Sequence, residues 1–132
     1  MSVTNEGVDW RQLREFTGVE LTKSHVLSWH VEGDTLMIDV DVLLTPEHAF
    51  YEKPRPAERN CVRPAMIEFP HCEAVSVNGV AMDEPLSDTS ARLELGAIKG
   101  LTRMDDGPFE ITGEFGTVLV DAERPILRLQ RK

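Results

Sequence analysis

The sequence predicts a mainly β domain, built from antiparallel hairpins as a sandwich or an open curved barrel with a short N-terminal helix. Hydrophobic and polar residues alternate in several short segments, a pattern typical of strands that bury one face. Turns that contain glycine separate these segments at short intervals. The chain has 132 residues, of which 41% are hydrophobic and 28% are charged. This balance predicts a single globular domain over residues 1–132.

The N-terminal region predicts a loose terminus over residues 1–8 and a short helix that ends near Gly18. Asp9 is a candidate N-cap, and Trp10, Leu13 and Phe16 recur every three residues on roughly one face. Gly18 is suited to end the helix because glycine adopts the left-handed conformation easily. We expect Trp10 and Phe16 to close one end of the sheet.

A hairpin of residues 25–31 and 35–43 is the clearest element of the sequence. A two-residue turn at Gly33-Asp34 pairs Glu32 with Thr35 and sets the register of both strands. The pairs expected on the inward face are Val31 with Leu36, Trp29 with Ile38, Leu27 with Val40, and His25 with Val42. The opposite, half-polar face is expected to carry Val26, Ser28, His30, Met37, Asp39 and Asp41.

Further strands are predicted at 65–69, 75–77, 80–82, 92–104, 109–115, 118–122 and 126–129. The turns between them are predicted at 78–79, 106–107 and 116–117, and Asn78-Gly79 is the strongest of these hairpin signals. A turn at 116–117 pairs Phe115 with Val118 and Ile111 with Ala122. Gly100 and Gly113 are expected to face each other at a corner of the sheet.

Residues 44–64 hold four prolines and predict a long Pro-rich loop, with a single helical turn from Thr45 through Tyr51. Tyrosine and arginine are enriched at interface hot spots, and prolines lower the entropy cost of ordering a loop. We therefore predict a partner-binding loop. Alternatively, it covers an open sheet edge, anchored by Phe50 and Tyr51. The candidate contact residues are His48, Tyr51, Arg55 and Arg59.

Asp39 and Asp41 predict a second candidate site, because residues two apart on a strand project from the same face, about 7 Å apart. With His30 diagonal to Asp39, they form a potential cluster for partner binding, for a divalent ion or for acid–base chemistry. The alternative is a solvated sheet face. The sequence contains no nucleophile elbow, paired zinc-ligand spacing or glycine-rich phosphate loop, so no catalytic residue, metal or cofactor is predicted.

The formal net charge of −9 is unfavourable for nucleic acid or an anionic membrane, and it suits a basic protein partner. The first 18 residues predict no signal peptide, and no apolar run is long enough for a membrane span. We therefore expect a cytoplasmic protein in which Cys61 and Cys72 are reduced thiols. A homodimer through an exposed sheet edge is a further expectation.

Several runs of the sequence resemble small bacterial β-rich families of unknown function, some of them similar to immunity proteins of polymorphic toxin systems. These runs are residues 28–30, 32–34, 36–41 and 65–69. The resemblance covers about half of the chain and consists mostly of strand alternation. It implies a non-enzymatic role and an acidic surface for a basic toxin. The alternatives are a small metal-dependent enzyme or binder that uses His30, Asp39 and Asp41, and a small-ligand-binding β domain.

Overall fold

The computed structural model describes residues 8–53, 61–81, 93–104 and 108–129, and it is mainly antiparallel β, as predicted. The first strand of the predicted hairpin begins at Val19 instead of residue 25, so it is longer than predicted. The strand predicted over residues 92–104 is shorter and begins at Gly96. The strands are β1 Val8–Asp9, β2 Val19–Glu32, β3 Thr35–Leu44, β4 Cys61–Phe69, β5 Ala74–Val77, β6 Val80–Ala81, β7 Gly96–Arg103, β8 Phe109–Gly113, β9 Gly116–Asp121 and β10 Ile126–Leu129.

The strands form one open sheet in the order β10-β4-β3-β2-β7-β8-β9-β5-β6, and β1 pairs with β7. Its middle is narrow, because β2 joins β7 through only two residue pairs, His25 with Ala97 and Val26 with Gly96. The sheet therefore consists of a four-stranded half, β10-β4-β3-β2, and a second half that contains β7, β8, β9, β5 and β6.

The two halves fold over each other and enclose the core. Phe69 on β4 packs against Phe109 on β8 with ring centroids 5.3 Å apart. Trp29 on β2 meets the edge of Phe115 at the same distance. Since three strands separate β4 from β8 in the sheet order, such contact requires strong curvature of the sheet. All four rings are buried.

The predicted N-terminal helix is instead two single turns of 3₁₀-helix, Trp10–Gln12 and Arg14–Phe16. Asp9 caps the first turn through its side chain, whereas Leu13 is extended and interrupts the helix. The apolar spacing of three residues fits the three-residue period of the 3₁₀-helix. Trp10, Leu13 and Phe16 are all buried. Val8 belongs to β1 rather than to a loose terminus, and residues 1–7 lie outside the described residues.

The predicted register of the first hairpin is correct near the turn and wrong beyond Ser28. Trp29 faces Ile38 as predicted, but Ser28 faces Asp39 and Val26 faces Val40, so Leu27 is an extra, bulged residue. The predicted pairs Leu27–Val40 and His25–Val42 do not form. Val26 is buried in the core, whereas His25 and Leu27 are exposed.

The predicted loop at 44–64 is shorter in the structure, because residues 61–64 belong to β4 and pair along β3. Pro64 lies opposite Asp41 of β3, and the described pairs between β4 and β10 run from Ala65 to Glu68. Successive turns replace the predicted helical turn: the amide of His48 donates to Thr45 O, and that of Tyr51 to His48 O. Residues 54–60, with Arg55 and Arg59, lie outside the described residues.

In the second half, the Asn78-Gly79 hairpin is confirmed, and both residues have the positive φ of a type I′ turn. The predicted turn at 116–117 is wrong, because Gly113 faces Gly116 and the turn lies at 114–115. Each residue of β8 therefore pairs four residues away from its predicted partner on β9. Because this shift is even, the same side chains face the core. Gly100 faces Thr112, not Gly113. The turn predicted at 106–107 lies outside the described residues, as does the predicted strand start at 92.

Candidate functional site

The structure brings His30 and Asp39 together on the four-stranded half, with Ser28 between them. The Ser28 hydroxyl donates to Asp39 Oδ2 at 2.5 Å. His30 Nδ1 lies 3.5 Å from the same carboxylate oxygen. The hairpin register causes this contact, because Ser28 lies directly opposite Asp39 and His30 lies diagonally. Both side chains of the His30–Asp39 pair are partly exposed to solvent.

Asp41 lies on the same face, two residues further along β3, with His25 and Pro64 as its cross-strand neighbours. About 7 Å separates side chains at this spacing. Within the described part of the chain, no lysine or arginine forms an ion pair with Asp39 or Asp41. The two carboxylates therefore give this face a local negative charge.

The chemistry of this cluster does not resemble a catalytic nucleophile with its base. Such a nucleophile donates its proton to an imidazole, whereas Ser28 donates to a carboxylate. Among the described residues, no group of three His, Cys, Asp or Glu side chains is arranged to hold a metal ion. The geometry of Ser28, His30 and Asp39 is that of a hydrogen-bonded surface carboxylate.

Apolar side chains surround the acidic pair on the same side of the sheet, which we call the outer face. Directly paired residues of neighbouring strands share a face, and so do residues two apart on one strand. The pairs between β3 and β4 and between β4 and β10 therefore identify the side chains that lie on the same face as Asp39. Three large apolar side chains on this face are unusually exposed: Leu27 at 48%, Val62 at 50% and Ile126 at 40%. The outer face comprises His25, Leu27, Ser28, His30, Met37, Asp39, Asp41, Leu43, Val62, Pro64, Met66, Glu68, Ile126 and Arg128.

A shallow cleft of about 350 Å³ lies at the centre of the outer face. Leu27, Ser28, Asp39 and Pro64 line it, so an apolar wall faces a carboxylate. The bulge creates this arrangement, because the extra residue places Leu27 beside Ser28 instead of opposite Val40. The sequence prediction missed Leu27. The available signal was the adjacent pair Val26-Leu27, which interrupts the alternation of the strand.

The predicted loop residues His48 and Tyr51 lie away from this cluster, at the end of β3. The His48 backbone packs so closely on Gly18 that a Cβ there would lie 2.6 Å from His48 Cα. His48 Nδ1 accepts a hydrogen bond from the amide of Phe50, and partial burial lowers the pKa of His48. Tyr51 packs on the core, and Phe50 is exposed. The start of the loop is therefore anchored on the N-terminal segment.

Cys61 and Cys72 are both free and buried. Burial raises the pKa of the Cys72 thiol to about 11, and the nearby charges of Asp121 and Asp34 act in the same direction. A thiol with so high a pKa carries almost no thiolate at neutral pH, and the thiolate is the reactive form. Cys72 is therefore a packing residue rather than a nucleophile.

The described residues contain no helix with the length and hydrophobicity that a membrane span requires. Comparison of the chain with protein-family models, curated proteins and solved structures finds no match.

Proposed function

We propose that this chain is a cytoplasmic, non-enzymatic protein-interaction module that binds a basic partner through the outer face. The observation that carries the proposal is the exposure of Leu27, Val62 and Ile126 around two carboxylates that form no ion pair with a described lysine or arginine. Protein interfaces combine an apolar centre with polar groups that set orientation.

Electrostatics favours a basic partner. The whole chain carries a net charge of −9, which attracts cationic proteins over distances set by the ionic strength. On the outer face, Glu68 is paired with Arg128 at 2.8 Å, whereas Asp39 and Asp41 lack such a pair among the described residues. A lysine or arginine of the partner would complete the hydrogen bonding of Asp39. Binding should therefore weaken as salt concentration rises.

An immunity-like role is the specific form of this proposal, with a basic toxin as the partner and binding without chemistry as the activity. A homodimer through the edge strands β10 or β6 is the second mode of association that we predict. It would use backbone groups at the sheet edge and leave the outer face free.

Affinity capture from the native lysate tests the proposal. The wild type, Asp39→Lys and Glu110→Lys are compared at low and high salt. Glu110 is the matched control, because it undergoes the same charge change on β8 in the other half of the sheet. We expect a partner that the wild type and Glu110→Lys retain at low salt, that Asp39→Lys loses and that high salt releases. Equal capture by all three proteins, or no specific capture, would contradict the proposal.

A second pair of variants separates the outer face from the loop. Leu27→Ser and Phe50→Ser remove apolar side chains of similar exposure, 48% and 51%. The proposal predicts that Leu27→Ser weakens capture of the same partner and that Phe50→Ser does not. The reverse result would place the contact surface on the 44–64 loop instead.

A further inference from the structure

The shallow cleft at the centre of the outer face has the size of a site for one side chain. We call it the outer-face cleft. Its volume of about 350 Å³ is near the lower limit of small-molecule sites, so it suits a single side chain of a partner rather than a large cofactor. Leu27 and Pro64 on its walls are both exposed, so an incoming group can contact them. The lining residues are Leu27, Ser28, Asp39, Val40, Pro64 and Ala65.

Asp39 supplies the charged group of the cleft, and its side chain is 31% exposed. The described residues contact only one of its two carboxylate oxygens. The Ser28 hydroxyl donates to Oδ2 at 2.5 Å, and His30 Nδ1 lies 3.5 Å from the same atom. No described residue donates a hydrogen bond to Oδ1. An ionised carboxylate accepts through both oxygens, so Oδ1 is the acceptor that is left for a ligand.

The walls and the charge of the cleft match a side chain with an apolar stem and a cationic end. Leu27 lies on the β2 side and Pro64 on the β4 side, with β3 between them. Asp41 on the same face adds negative charge, and no described lysine or arginine forms an ion pair with either carboxylate. Lysine and arginine bury their methylene groups on such apolar surface while the charged end stays near water.

The contacts of Asp39 Oδ2 favour lysine over arginine. A guanidinium group binds a carboxylate best through two parallel hydrogen bonds, one to each oxygen. The Ser28 hydroxyl and the His30 ring already contact Oδ2, so they obstruct this two-point arrangement. An ammonium group is a compact donor that needs only one oxygen. Oδ1 alone therefore satisfies a lysine, whereas it satisfies an arginine only in part.

From these observations we infer that the outer-face cleft binds a lysine side chain of the partner in preference to an arginine. The ammonium group donates to Asp39 Oδ1, and the methylene groups pack on Leu27 and Pro64. The inference rests on the proposed function for the partner being a basic protein, and it names the side chain that the outer face recognises. Acetylation of this lysine removes the charge and should abolish its binding.

Titration of the ¹⁵N-labelled protein with blocked amino acids tests the inference without the partner. The probes are Nα-acetyl-lysine amide, Nα-acetyl-arginine amide and Nα,Nε-diacetyl-lysine amide. We expect the lysine probe to shift the backbone amides of Leu27, Val40 and Ala65 saturably, with a dissociation constant on the order of 1 mM, and to leave that of Val118 on β9 in place. The arginine probe should bind about fivefold more weakly, and the diacetyl probe should give no saturable shift.

Variants of the cleft separate a specific site from general charge attraction. Asp39→Asn should weaken binding of the lysine probe by at least about fivefold, because a hydrogen bond to a charged group is lost. Glu110→Gln is the matched control, since it removes the same charge on β8 in the other half of the sheet. Ser28→Ala removes the hydroxyl from Oδ2 and should reduce the preference for the lysine probe over the arginine probe.

Three results would overturn the inference: no saturable shift of the cleft amides with the lysine probe, equal affinity for the arginine probe, and unchanged affinity of Asp39→Asn. Failure of the inference is distinct from failure of the proposed function. If Asp39→Lys loses a captured partner but the lysine probe does not bind, the outer face is still the contact surface and lysine is not its anchor. If the lysine probe binds selectively but no partner is captured, the lysine site is retained and the proposed function fails.

Discussion

Deletion of Leu27 tests the bulge that gives the outer face its apolar centre. Ser28 faces Asp39 and Val26 faces Val40, so two consecutive residues of β3 oppose three residues of β2. Without Leu27, Val26 and Ser28 would be adjacent and could keep the same partners. The deletion therefore removes the bulge without moving any other pair. Because Leu27 is 48% exposed, we expect the deletion to change the free energy of unfolding by less than about 1 kcal/mol.

Deletion of Met37 is the matched control, because it also removes one outward-facing apolar residue from the same hairpin. β3 pairs regularly there, with β2 on one side and β4 on the other. The deletion must reverse the faces on one side of the gap. The least costly choice exposes Leu36, which is 0% exposed in the native protein. Loss of a buried leucine and the resulting cavity cost about 2 to 5 kcal/mol.

Urea denaturation of the wild type and both deletion variants measures this difference, provided that the m-value is unchanged. We expect the wild type and the Leu27 deletion to have similar free energies of unfolding. That of the Met37 deletion should be at least about 2 kcal/mol lower. If the Leu27 deletion destabilises the protein as much as the Met37 deletion, Leu27 is paired within the ladder and the bulge is wrong. The Leu27 deletion should in addition lose capture of the proposed partner.

Three further predictions concern the scaffold. Ser24→Ala should lower the free energy of unfolding by about 1 to 3 kcal/mol in thermal denaturation, because the buried Ser24 hydroxyl bonds two backbone groups. The pKa of Cys72 is raised from 9.0 to about 11, so the protonated thiol stabilises the fold below pH 9. About 2 to 3 kcal/mol should be lost as the pH rises from 9 to 11, and Cys72→Ala should remove this loss. A double-mutant cycle of Phe69→Leu and Phe109→Leu should give a coupling of about 0.5 to 1.5 kcal/mol, and the same cycle with Phe115→Leu in place of Phe109→Leu should be nearly additive.

Local turn chemistry explains which parts of the fold could be predicted from the sequence. Asn78-Gly79 and Gly33-Asp34 each require a positive φ within two residues, and the structure has both turns where predicted. The turn between β8 and β9 was predicted wrongly, because its position depends on a distant contact. Phe115 lies in the turn and packs on Trp29, a contact that local turn propensity does not encode.

The candidate sites were predictable only where they follow regular alternation. His30 and Asp39 share a face because their part of the hairpin has no irregularity, and the alternation alone places them together. The sequence assigned Leu27 to the core because regular alternation was assumed, whereas the bulge reverses which side chains of β2 face the core before Ser28. The packing of the N-terminal segment on the residues after β3 was not predictable, because it depends on the close approach of Gly18 to His48, which are distant in sequence.

β2 departs from regular pairing with β3 at two places. One departure is the single bulge at Leu27. The other spans residues 21–24, since Glu20 faces Leu43 and His25 already faces Asp41. Ser24 stabilises this second irregularity by accepting from the amide of Leu43 and donating to Glu20 O. Bulges are enriched at binding sites because they re-aim side chains without disrupting the rest of the sheet. A bulge that served only to fit the core would not need to expose a leucine at its centre, so the exposure of Leu27 supports a binding role for the outer face.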